Sequence, residues 1–238
     1  MPFFAVSMRI ALTVVFVMIA SHSAHAETYL GLEIKSEDTT VHYNRRLYKH
    51  WRDEDGNGQD ARQEALIAES HIPVTFDSRG KAKEGLWVCA YTGTVVTDPS
   101  KLDVDHLIPL KEAHLSGGHS WTPAKRQEYA NHLTDEDHLV AVTAGSNRSK
   151  SDRDPGEWMP PNRSYWCEYL KDWIGIKKQY GLSIDKAERD AIKEGLSLCG
   201  KYKSGDALDA REGQGQISNV SDLQHAAVTM VGLSELIP

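Results

Sequence analysis

Pro109 constrains this chain more than any other single residue. It closes the stretch Asp103-Val104-Asp105-His106-Leu107-Ile108-Pro109-Leu110. Proline has no N–H to give to a strand ladder, so an extended segment must stop near it. Leu102 to His106 is therefore expected to be a short strand, followed by a short helix over Pro109 to Leu115 that Gly117-Gly118 terminates. His138 to Thr143 alternates and reads as a second strand, and a helix begins at Ser146 to Ser151. Neighbouring side chains on a strand point apart. Asp105 and His106 can thus serve one place only if the strand is ending there.

Upstream, Arg45 to Arg52 reads as a short helix. Asp60 to Ser70 is a better one, with Ala61, Ala65 and Ala68 together with Leu66 and Ile67 at helical spacing. His71 to Phe76 and Gly85 to Val96 read as extended, with a turn at Tyr91-Thr92-Gly93-Thr94. Thr122-Pro123 starts a further helix, since threonine caps and proline suits the first turn. Tyr165 to Tyr180 and Ile184 to Leu198 are expected to form antiparallel helices, joined at Gly181 and capped by Ser183.

The two ends read differently from the middle. Met1 to Ala26 holds one charge, Arg9, an apolar run from Ile10 to Ala20, and Ala24-His25-Ala26 as a cleavage signature. This reads as a secretory signal removed before Glu27; the run falls short of the ~20 residues a bilayer requires. Residues 201–238 are rich in Gly, Ser, Asp and Gln and are expected to be a disordered tail. Between them lie a helical segment with an acidic turn, 27–84, and a second unit, 85–200. No stable membrane insertion is expected after cleavage, and a monomer is presumed.

The net charge is −7, and −8 once Arg9 leaves, so net charge alone does not drive nucleic-acid binding. A locally basic stretch survives: residues 143–178 hold seven Lys or Arg against five acids. Export permits a disulfide, and of three cysteines Cys167 and Cys199 are the preferred pair, one on each helix of the hairpin. Cys89 then remains a buried thiol. The absence of a CxxC argues against a zinc ribbon.

Alone, Asp105-His106 is an ordinary strand-end pair, Asn147 an ordinary helix cap, and Arg148 with Lys150 a solvated basic face. Together they offer a hard oxygen pair for Mg2+ or Mn2+, a base that titrates near neutrality, and cations for phosphate. The remaining histidines show no ligand spacing. Trp121, Trp158, Trp166 and Trp173 read as core.

In this order the residues resemble the HNH nucleases of ββα-metal fold, above all a secreted bacterial branch related to the C-terminal domain of GmrSD restriction endonucleases. The likeness runs through Trp87, Tyr91-Thr92-Gly93, Val104 to Leu110, Trp121, Ala130-Asn131, His138 to Val142, Asn147-Arg148-Ser149-Lys150, Trp158-Met159-Pro160-Pro161 and Tyr165 to Tyr169. It implies an α+β fold with additional helices and a short antiparallel sheet. It also implies Asp105 and Asn147 as ligands of one divalent metal, and His106 as general base. His138 stands where the family has its middle asparagine; it would brace the base or, alternatively, ligate metal. The implied activity is an exported, secreted or periplasmic endonuclease acting on DNA, and on RNA as a further substrate, with weak sequence preference. The alternative is a non-catalytic secreted calcium- or nucleic-acid-binding protein; a toxin domain is a third.

Asp53 to Glu64 also fits a calcium loop, with Asp53, Asp55, Asn57, Gln59 and Glu64 as ligands, although Asp60 stands where an apolar residue is wanted. The resembling branch carries an acidic segment here followed by Asp-x-Arg, like Asp60-Ala61-Arg62, with a cysteine where this chain has Gln59. On that reading the segment is a simple acidic turn rather than a calcium loop, Asp60 and Arg62 face the cleft, and Arg62 contacts phosphate.

Overall fold

The computed structural model describes residues 26–134 and 138–199. The leader and the tail lie outside the described residues, apart from Ala26. Among the described residues the fold is α+β, with helices around four small antiparallel two-stranded sheets. In chain order the elements are β1 (Thr28–Tyr29), β2 (Leu32–Glu33), α1 (Ala61–Ala68), β3 (Thr75–Phe76), β4 (Ala82–Glu84), β5 (Trp87–Val88) and β6 (Val95–Val96). There follow β7 (Leu102–His106), α2 (Leu110–Leu115), α3 (Pro123–Ala130), β8 (Leu139–Thr143), α4 (Ala144–Lys150), α5 (Trp166–Tyr180) and α6 (Lys186–Ser197).

The longest sheet pairs β7 with β8, from Leu102 opposite Thr143 to His106 opposite Leu139. Alternation gives the pair two faces. Leu102, Val104, Leu139 and Ala141 pack with Ala61, Ala65 and Leu66 of α1 and with Trp87 and Val96. Val140 and Val142 join the larger cluster, which holds Leu107, Ile108, Tyr129, Trp158, Tyr169 and Trp173. The segment before residue 85 is therefore packed directly on the β7–β8 pair. All four tryptophans read as core are accounted for this way or nearly so: Trp121, Trp158 and Trp173 are buried, and Trp166 is half-buried.

Caps explain where the helices begin. Asp60 accepts from the Gln63 N–H at the start of α1, Thr122 from Lys125 at α3, and Thr143 from Ser146 at α4. Two sequence expectations are corrected here. The cap of α6 is Asp185, which forms a reciprocal capping box with Glu188, rather than Ser183. Ser183 instead bonds the Ser116 carbonyl. Arg45 to Arg52 is only a single 3-10 turn, Arg45–Leu47.

Cys167 and Cys199 are disulfide-bonded, tying the first turn of α5 to the end of α6, while Cys89 is buried and free. Inside the hairpin the fully buried Lys177 ammonium donates to Glu112 of α2, to Glu188 of α6 and to the Ser183 carbonyl. One lysine thus satisfies two buried carboxylates and fastens the hairpin to the helix that follows β7.

Candidate active site

The end of β7, the start of α2 and the outer side of α4 enclose a cleft of about 480 Å³, whose lining includes Asp105, His106, Lys111, Asn147 and Arg148. Although Asp105 and His106 point to opposite faces of β7, both reach it, because the strand ends at His106.

His106 is held at Nε2 and by neighbouring aromatic rings. Its Nε2–H donates to the Ala130 carbonyl at 2.9 Å. That carbonyl belongs to the last turn of α3, where helix carbonyls lack internal partners. The ring of Trp51 lies over one side at 5.5 Å and Tyr129 stacks at 6.5 Å. Trp51 adopts a left-handed backbone (φ 57°), an unfavourable conformation for so bulky a residue. Asn131 pins that segment by accepting from the Arg52 N–H and donating to the Lys49 carbonyl. Burial holds the His106 imidazole well below its ordinary pKa, against the opposing pull of the Ala130 carbonyl. The ring is neutral near pH 7. With Nε2 carrying the proton, Nδ1 keeps its lone pair, and it has no hydrogen-bond partner among the described residues.

Asp105 presents its two oxygens differently. Oδ2 accepts from the Tyr91 hydroxyl at 2.8 Å and from the Lys150 ammonium at 2.7 Å. Oδ1 has no hydrogen-bond partner among the described residues. Tyr91 is pushed well above its ordinary pKa by burial and by Asp105, so it remains a donor. Asn147 lies in the fourth position of α4 rather than at its start. Its Nδ2 donates to Asp103 Oδ2 at 2.9 Å, which leaves Oδ1 as the open atom. Asp103 and Asp105 share one face of β7, so Asp103 orients the amide beside the carboxylate.

Several expectations are revised. Lys150 does not face phosphate: it is fully buried, bonded to Asp105 and to the His106 carbonyl at 3.1 Å. Burial lowers its pKa while Asp105 opposes that shift. Arg148 is exposed on the cleft. His138 lies behind the base, its Nε2–H on the Tyr129 carbonyl at 2.7 Å and its ring 6.4 Å from that of His106. It does not line the cleft, so a brace is its geometry rather than a ligand there. Arg62 donates to the Leu102 carbonyl at 3.1 Å, and Asp60 pairs with Lys81; neither lines the cleft.

The acidic loop is closed by its own hydrogen bonds. Asp53 accepts from the N–H groups of Gly56, Asn57 and Gly58. The Asn57 amide joins Asp55 to Glu64, and the Gln59 side chain leaves the loop to bond the Gly80 carbonyl.

Asp103, Tyr91 and Trp51 also belong to the site, and no motif in the sequence gives them a role there. Asp103 was recoverable from the two-residue period of the strand. Tyr91 and Trp51 reach the site only through tertiary packing.

Comparison with known proteins agrees with the resemblance. A secreted protein of uncharacterised function from the fungus Arthroderma benhamiae is 35% identical over 181 residues, covering 76% of this chain and 87% of the relative. The resemblance therefore extends beyond bacteria. No solved structure matches the chain. The family model for GmrSD restriction endonucleases, C-terminal domain, matches residues 51–194, and the chain belongs to that family.

Proposed function

We propose that the chain is an exported, metal-dependent endonuclease of the ββα-metal type that hydrolyses DNA phosphodiester bonds with weak sequence preference, RNA being a second substrate. The family supports a nuclease-like function at its own level. The secreted relative supports export, and no described helix is long and apolar enough to cross a membrane. The observation that carries the reading is the orientation of His106. Its Nε2 is engaged by Ala130 and its Nδ1 is open, on a cleft that Asp105 and Asn147 also line.

The donor set fits a hard cation. Asp105 Oδ1 and Asn147 Oδ1 are oxygen ligands, too few for a closed cage, and so suited to Mg2+ or Mn2+ that keeps water and phosphate oxygens as further ligands. When bound, the ion would stabilise negative charge on the phosphate and the leaving 3′ oxygen. His106 Nδ1 takes the proton from a water that attacks phosphorus, giving a 5′-phosphate end. Ala130 stabilises the imidazolium that forms, and Trp51 and Tyr129 keep the ring aligned. Arg148 contacts the backbone phosphate from the exposed side of α4.

A plasmid-nicking assay with Mg2+, Mn2+, Ca2+ or EDTA tests this, repeated on RNA. Wild type should cut with a divalent metal and not in EDTA. His106→Ala should cut ~10²–10⁴-fold more slowly while remaining folded. Equal cutting by His106→Ala would remove the assignment.

The non-catalytic reading draws on one observation, the Lys150 ammonium that already neutralises Asp105. A binder would shift DNA in a gel without nicking it. Calcium at Asp53 to Glu64 is a separate proposal, supported by the convergence of Asp53, Asp55, Asn57 and Glu64. Glu64→Gln should then lower the melting temperature only when calcium is present.

A further inference from the structure

We propose that Arg45 binds a backbone phosphate in the cleft shared with Asp105 and Asn147, so that a segment upstream of the family match completes the site. This rests on the nuclease reading above. The cleft has three cationic side chains at its walls: Arg45, Lys111 and Arg148. Lys111 is paired with Asp152 at 2.5 Å, and the nearby Lys150 is committed to Asp105. Arg45 and Arg148 have no carboxylate partner among the described residues. In a chain of net charge −7, two uncompensated guanidinium groups lining one cleft are not a general basic surface.

The two come from different parts of the chain. Arg148 rides on α4 with Asn147, whereas Arg45 is in the 3-10 turn before residue 51. That turn is fixed. Asn44 caps it by accepting from the Arg46 N–H at 3.0 Å, and the Tyr48 N–H closes it on the Arg45 carbonyl at 3.0 Å. Tyr48 is fully buried, with its hydroxyl 3.1 Å from His114 Nδ1 of α2. The exposed Arg45 side chain therefore springs from an anchored base. A guanidinium offers a planar fork that two phosphate oxygens can accept. Held in place, it spends less conformational entropy on binding than a lysine on a loop would.

The test measures affinity of the full mature chain for a fluorescein-labelled DNA duplex in EDTA, across a NaCl series, alongside plasmid nicking in Mn2+. Each lost phosphate contact should lower the slope of log affinity against log salt by about 1. Arg45→Gln should bind about tenfold more weakly at low salt, with that loss of slope and slower nicking. Arg45→Lys should keep the slope and recover part of the affinity. Arg45→Gln with wild-type affinity, slope and nicking rate, beside an inactive His106→Ala, would overturn the inference and leave the nuclease reading intact. A wild type that never nicks would overturn the nuclease reading itself. If Arg45→Gln melts below wild type, Arg45→Lys decides: a slope as low as that of Arg45→Gln overturns the inference.

Discussion

The two oxygens of Asp105 differ in their partners, and Lys150 makes most of the difference. Its ammonium and the Tyr91 hydroxyl occupy Oδ2, which leaves Oδ1 without a hydrogen-bond partner among the described residues on a side chain that lines the cleft. Removing the lysine would leave a buried carboxylate with one neutral donor. Breaking a buried pair from one side costs ~3–5 kcal/mol. Lys150→Met should accordingly lower the urea midpoint by a corresponding amount, and Lys150→Met with Asp105→Asn should recover much of the loss without recovering nicking. If Lys150→Met is as stable as wild type, the pair does not hold the site together. Tyr91→Phe should be milder, near the ~1–3 kcal/mol of a buried acceptor losing one donor, because the lysine remains. Denaturation of the two single variants side by side checks the order.

At the scale of elements, the loop after α4 carries a charge that opposes its own packing. Asp154 accepts from the N–H groups of Gly156 and Glu157, and it sits against the start of α6 with Asp185 and Glu188. Burial, assisted by Glu112, raises its carboxyl from 3.8 to about 6. The native state therefore holds a proton that the unfolded chain has released between those values. Stability from this group is full below about 3.8 and falls as pH rises through about 6. Asp154→Asn keeps both accepted bonds and removes the titration. Its melting temperature relative to wild type should rise between pH 4 and pH 7. A difference that stays constant or falls over that window would show that the carboxylate is not penalised.

β7 was legible with its exact limits, because Pro109 and the two-residue alternation agree about it. Thr122 was legible as a helix start, since a cap acts through its own side chain on the next turn, whereas Thr143 reads as the end of a strand and its capping of α4, which begins two residues before Ser146, was not legible. The inward turn of Lys150 was not. α4 has only seven residues, too few for a polar face to set its rotational phase, and the partner that draws the lysine inwards is 45 residues earlier. Ser183 and Asp185 are both competent caps; the choice fell to Asp185 because Glu188 stands three residues beyond it.

For the whole molecule, the site lies where two packed clusters meet. α1 supports β7 from one face, and the α5–α6 hairpin supports the core behind α2 and α3. The disulfide closes that hairpin across 32 residues. A cross-link of that span restricts the unfolded chain by ~3–4 kcal/mol in the chain-entropy account. Cys167→Ser with Cys199→Ser should therefore move the unfolding midpoint down by about that much. None of the cleft residues lies on α5 or α6, so nicking below the transition should survive. Reductant should reproduce the shift in wild type and add nothing to the double variant, since Cys89 is unpaired. A double variant that is folded yet inactive would mean that the hairpin shapes the cleft through Lys177 and Glu112 rather than only stabilising the fold. Lys177→Met with the disulfide intact would then be equally inactive.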